Sequence, residues 1–194
     1  MTLETHTGLG AGRVRPATYA IRTLAWVLAI GSIGFAVVNV VYEMTGRFDE
    51  GPLSEYEAGV TILNWFVAAL KVIGAAVALV SVAPQSRVPA RLVNILIWGG
   101  AGTLGVYALG SVVQAVGLAV DPATSGLIDA AGILYVLGFL LAAGGFAVLA
   151  RSHSRRSGLG AGPAILGAVG GVILLGTILV LVPILLSAFG IMPG

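Results

Sequence analysis

The chain has 194 residues, 58% of them apolar types and 9% charged, with a mean hydropathy of +1.03. A soluble domain carries about 25% charged residues, so this composition cannot clothe a water-facing surface. It argues against a water-soluble enzyme or a nucleic-acid binder. The formal charge is +2 and cysteine is absent, which removes disulfides, thiolate metal sites and cysteine nucleophiles together.

A bilayer core about 30 Å thick needs about 20 apolar residues as a helix. Five segments meet that length: 23–42, 58–82, 92–120, 127–150 and 163–189. Alternating strand patterns are missing. The expectation is an all-α polytopic membrane protein, a five-helix transmembrane bundle over 23–190 behind a basic segment, 1–22, that carries Arg13, Arg15 and Arg22.

Segment 23–42 is longer than the roughly 7–15 apolar residues of a signal-peptide core, and Tyr42-Glu43-Met44 offers no small-residue cleavage site. It reads as a retained helix. Asn39 and Glu43 form an i, i+4 pair at its far end. An acidic loop, 43–57, follows with Glu43, Asp49, Glu50, Glu55 and Glu57. It lacks the D-x-[DN]-x-[DN]-G spacing of a calcium loop and reads as a solvated connection. Ser54-Glu55-Tyr56-Glu57 suits a first helical turn.

Segment 58–82 holds Lys71, the chain's single lysine. It stands about 13 and about 11 residues from the two ends, mid-bilayer at about 1.5 Å per residue. A charge there costs about 2.5–3.5 kcal/mol on insertion scales, so it must face protein or water. Ala68, Ala75 and Ala78 share its helix face, Gly74 lies beside it and Asn64 lies two turns toward the helix start. Small residues at that spacing admit a second helix, and a lysine leans toward its helix N-terminus.

Segment 92–120 opens with Gly99, Gly100, Ala101, Gly102 and Gly105, and carries Tyr107 at about the depth of Lys71, with Ser111 and Gln114 further out. Segment 127–150 places Asp129 near the same outer boundary and Tyr135 just above Lys71. Arg151, Arg155 and Arg156 come next. The pentapeptide Gly-Leu-Gly-Ala-Gly occurs at Gly8–Gly12 and again at Gly158–Gly162. With no strand before it and no G-x-G-x-x-G or Walker spacing, it reads as a linker. His6 and His153 fall outside the apolar segments, and no H-x-x-x-H or E-x-x-H pattern accompanies them, so neither metal nor other cofactor is expected. Segment 163–189 contains a G-x-x-x-G at Gly167 and Gly171, and Pro183, which should kink the helix by removing the bond to the Leu179 carbonyl.

Charge sets an orientation. Arg13, Arg15, Arg22, Arg87, Arg91, Arg151, Arg155 and Arg156 fall on one side of the predicted membrane; the other has Arg47 with Glu43, Asp49, Glu50, Glu55, Glu57, Asp121 and Asp129. The positive-inside rule gives N-in, C-out. Tyr19, Trp26 and Trp98 would mark the inner interface, and Tyr42, Tyr56 and Trp65 the outer one. The large Ala, Gly, Val and Leu share resembles that of small multi-pass proteins of GC-rich bacteria, which points to a bacterial plasma membrane.

Lys71, Asn64, Tyr107, Gln114, Asp129, Tyr135, Asn39 and Glu43 are the candidate ligand or ion-pathway residues, a polar ladder in the outer half that the inner half has little to match. Lys71 could lock helix contacts or face a substrate or ion. The expected partners are anionic lipids at the arginine clusters and either a second copy or another membrane protein, not nucleic acid. The leading expectation for function is an accessory or interaction subunit acting through helix packing. The alternative is a small oligomeric transporter or channel-like protein with an outward cavity centred on Lys71. No enzyme is expected, since no nucleophile–base pair, paired carboxylates or metal cluster appears at membrane depth.

Overall fold

The computed structural model describes residues 14–46, 54–84, 86–120 and 130–191. Among these the chain is mostly helical and has no strand. Helix α1 spans Tyr19–Met44, α2 Glu57–Val82, α3 Ala90–Val120, α4 Ala130–Ser157 and α5 Ala161–Gly176. A π turn, Thr177–Leu181, joins α5 to α6, Val182–Ala188. Five helices, with α5 and α6 counted as one, are long and apolar enough to cross a membrane.

The hydropathy spans place each helix within a few residues, with one exception. Helix α4 does not stop at Ala150; it continues through the polar run Arg151–Ser157. Gly158, at φ 64°, then ends it in the left-handed conformation that glycine adopts without strain. Gly160 is the N-cap of α5. The second Gly-Leu-Gly-Ala-Gly therefore supplies a tight turn, Gly158–Gly160, and the first two residues of α5; the first copy lies outside the described residues. A single 3-10 turn at Ser54–Tyr56 leads into α2, as its sequence suggests. The disturbance expected at Pro183 takes the form of a π turn just before it. One extra residue in the ladder accommodates the missing N–H, and the helix then resumes.

Small side chains point inward and large ones outward. Ala25 and Ala78 are fully buried, and Ala29, Ala36, Ala68, Ala75 and Ala108 nearly so, while Ile30, Val113 and Leu141 are 67%, 71% and 75% exposed. So much large apolar surface is not tolerated in water; it is the exterior of a multi-pass membrane protein. Helix α1 packs along α2, and α3 lies between α4 and α5. The α3–α5 seam is backbone on backbone. A Cβ at Gly167 would collide with the Ile95 carbonyl and one at Gly171 with the Gly99 carbonyl, while one at Gly102 would lie 2.5 Å from Ala168 O. The G-x-x-x-G motif is thus used within the chain, and Thr103 Oγ1 donates across the same seam to Gly171 O at 2.9 Å.

The shared core sits at one end. Ala25, Leu28, Ala78, Val82, Ile97, Ala101, Phe146 and Leu149 form one cluster drawn from α1, α2, α3 and α4. The Arg15 N–H donates to Arg156 O at 3.2 Å, so the approach to α1 and the end of α4 share this end. We call it the arginine end, and the opposite one, where Glu43 and Glu57 lie, the carboxylate end.

Candidate functional site

The α1–α2 seam is polar toward the carboxylate end. Asn39 and Glu43 are one turn apart on α1; Thr61, Asn64 and Lys71 lie along one stripe of α2, and each pair faces the other across a small-residue interface. Glu43 accepts from Thr61 Oγ1 at 2.6 Å through Oε1 and from Asn64 Nδ2 at 2.9 Å through Oε2. Asn64 Nδ2 also donates to Asn39 O at 2.9 Å, and Asn39 Nδ2 returns a bond to Asn64 O at 3.5 Å. Lys71 Nζ completes the run, donating to Asn39 Oδ1 at 2.8 Å and to Phe35 O at 3.4 Å. The lysine leans toward the α2 N-terminus, as helical side chains do.

The result is a relay. Glu43 and Lys71 are linked through Asn64 and Asn39, each of whose side chains bonds the other's backbone carbonyl, so both lie in one hydrogen-bonded series. Every member uses another as its partner, which is how polar groups become tolerable at membrane depth. Lys71 is half-buried, and its ammonium lies 5.5 Å from the centre of the Phe35 ring, within cation–π range.

Phe35 links the ladder to an aromatic cluster. Its ring centre is 6.1 Å from Tyr135 and 5.9 Å from Phe139; Phe139 in turn lies 4.7 Å from Tyr135 and 4.6 Å from Tyr107. The edge and tilted geometries are those aromatic pairs prefer. Lys71, Asn64, Asn39 and Glu43 thus come together directly, and Tyr107 and Tyr135 join them through Phe35 and Phe139. Gln114 does not: it is exposed, while Ser111 bonds back to Tyr107 O in its own helix at 2.9 Å. Asp129 lies outside the described residues. Thr61, Phe35 and Phe139 are members that sequence reasoning missed. Thr61 had a signal, three residues before Asn64 on the same face.

The half toward the arginine end, expected to have little polar content, holds a buried polar cluster, which corrects that expectation. His153 is 3% exposed, with Nδ1 3.1 Å from Ser81 O and Nε2 3.2 Å from Ala90 O. Both neighbours are backbone carbonyls, one from the end of α2 and one from the start of α3, so the ring sits between two helix ends. Asn94 is fully buried. Its Oδ1 accepts from Ser154 Oγ at 2.7 Å, and the same hydroxyl accepts from Trp98 Nε1 at 3.0 Å. Asn94 Nδ2 has no partner among the described residues. Trp98 is therefore held by a protein hydrogen bond, not by the membrane interface alone. Arg156 donates to Ser81 O at 2.8 Å, to Arg15 O at 3.2 Å and to Ser152 Oγ at 3.3 Å. These groups bind the last turns of α4 to the end of α2 and the start of α3. That is why a run as polar as Arg151–Ser157 remains helical.

No known protein family, curated protein or solved structure matches the chain.

Proposed function

We propose that the protein is an integral accessory or interaction subunit of a bacterial plasma membrane, N-in and C-out, whose output is helix contact with a second copy or another membrane protein. One observation carries this reading: the polar groups of the α1–α2 ladder are spent on one another. A ladder closed in this way fixes the register of two helices. The orientation is supported by the charge asymmetry, with the arginine end in the cytoplasm. The broad apolar exteriors of α1 and α5 supply surface for a partner, Ile30 and Ile173 standing 67% and 63% exposed.

A second reading draws on Lys71 itself. It is half-buried at mid-membrane depth, and two aromatic residues near it, Tyr107 and Tyr135, carry hydroxyls. A small oligomeric transporter or channel would use this ladder as a polar path.

Native mass spectrometry of protein extracted from its own membrane tests the two. The subunit reading expects a stoichiometric partner or a second copy, and no ion or solute flux in liposomes. It is overturned by an isolated monomer together with a flux that Lys71→Met abolishes while the helical circular dichroism spectrum and melting temperature are retained.

A further inference from the structure

A cleft of about 460 Å³ opens at the arginine end, between the approach to α1 and the last turns of α4. Arg15, Arg151, Arg155 and Arg156 contribute to its wall together with Thr18 and Ser152, and most of the lining surface is apolar. Ile21 and Val148 supply apolar wall on the side that continues into the membrane-spanning surface. The volume lies in the range of small-ligand sites.

Among the described residues the arginines are held close with no carboxylate beside them. Among the described residues Arg156 bonds to neutral acceptors, the Arg15 and Ser81 carbonyls and the Ser152 hydroxyl. The bond from Arg15 N–H to Arg156 O straps the α1 approach against α4 and fixes the two walls. Arg151 and Arg155 are exposed and lie at i, i+4, the spacing at which like charges repel. The carboxylate side chains among the described residues, Glu43 and Glu57, are at the opposite end. On the arginine side the sequence offers one acidic residue, Glu4, outside the described residues. Charges gathered around a concavity with so little countercharge select an anion, and guanidinium forks match the tetrahedral oxygens of phosphate.

We propose that this cleft binds a phosphate group, carried either by the headgroup of an anionic lipid or by a free phosphate. The lipid form rests on the membrane reading above; the phosphate form does not. Basic recesses between transmembrane helices bind anionic headgroups by the same chemistry, and the apolar wall of Ile21 and Val148 suits the glycerol and first acyl carbons beneath one.

The test compares the unaltered protein, Arg151→Gln with Arg155→Gln, and Arg87→Gln with Arg91→Gln. The last pair removes the same charge from exposed positions that do not line the cleft. Each is reconstituted in nanodiscs of phosphatidylcholine alone or with phosphatidylglycerol, and retained lipid is counted by native mass spectrometry. Inorganic phosphate is titrated separately in detergent, with melting temperature as the readout. The cleft predicts selective retention of phosphatidylglycerol, reduced about tenfold or more by the 151/155 pair and little by the 87/91 pair. Stabilisation by inorganic phosphate with the same variant dependence, without lipid retention, assigns the site to a free phosphate. Equal losses in both pairs mean a diffuse positive surface and overturn the proposal, as does the absence of both effects. Failure of the protein to enter nanodiscs would instead count against the membrane reading, and the detergent titration would still decide the cleft.

Discussion

The two ends of the bundle are held by different means. At the arginine end four helices converge on one core around Phe146 and Leu149, and the buried polar side chains bond largely to backbone carbonyls at helix ends. Toward the carboxylate end helices meet in pairs: α1 and α2 through the Lys71 ladder, α4 with α1 and α3 through ring edges. A lipid-embedded chain gains little from burying apolar surface, because the bilayer is as apolar as its own side chains. Shape and hydrogen bonding must then do the holding. The arginine end relies on tight packing of four helices, and the other end on a short polar series. The first should be rigid and the second adjustable.

Truncating one phenylalanine at each end gives the largest contrast. Phe146 is 3% exposed and touches the open sides of Gly74 and Gly100. Phe146→Ala is expected to destabilise by about 3–5 kcal/mol. Phe139, half-buried in the aromatic cluster, should lose about 1 kcal/mol on the same change. Equal losses in reversible unfolding from mixed micelles would erase the distinction between the ends.

Next in size is Ser154→Ala. The Ser154 hydroxyl bridges Trp98 Nε1 and Asn94 Oδ1, and its removal leaves both without that partner beside an amide nitrogen that already has none. A loss of about 1–3 kcal/mol is expected, with a change in Trp98 fluorescence. A double change of Ser154→Ala with Asn94→Leu should recover part of that loss, since both ends of the bond are then gone.

The smallest expected effect is in the ladder. Asn64→Leu removes the donor to Glu43 and to Asn39 O. Intramembrane hydrogen bonds average about 0.6 kcal/mol, so a loss of about 1 kcal/mol is expected. The sharper readout is coupling. A double-mutant cycle between Glu43→Gln and Lys71→Met should give a nonzero interaction energy with Asn64 present and a smaller one with Leu in its place.

Much of this was legible in sequence, for identifiable reasons. Hydropathy alone placed the helices, because a membrane span must be long and apolar. The face of Lys71 followed from Ala68, Ala75 and Ala78 at helical spacing. Asn39, Glu43 and Asn64 were legible as partners, because polar side chains at membrane depth have few places to go. Gln114 shares the face of Tyr107 by spacing, but no described residue covers the last turns of α3, where Val113 and Val120 are 71% and 76% exposed. Phe35 gave no signal, since its role depends on a backbone carbonyl and on rings from other helices. Arg151–Ser157 looked like a loop because composition reports solubility. Its helical state depends on the carbonyls of Ser81 and Ala90, which only the folded chain brings near.

The glycine seam between α3 and α5 has a consequence for how the protein is made. Helix α5 leaves the ribosome after the other four helices, and its main docking surface is α3. The core at the arginine end draws its side chains from the earlier helices, so that unit can assemble before α5 has been released into the bilayer. The late helix then finds a groove already shaped, in which Gly167 and Gly171 let its backbone settle against Ile95 and Gly99. On this plan a chain stalled after α4 is expected to hold the lysine ladder and the arginine cleft already in place, since their residues precede α5.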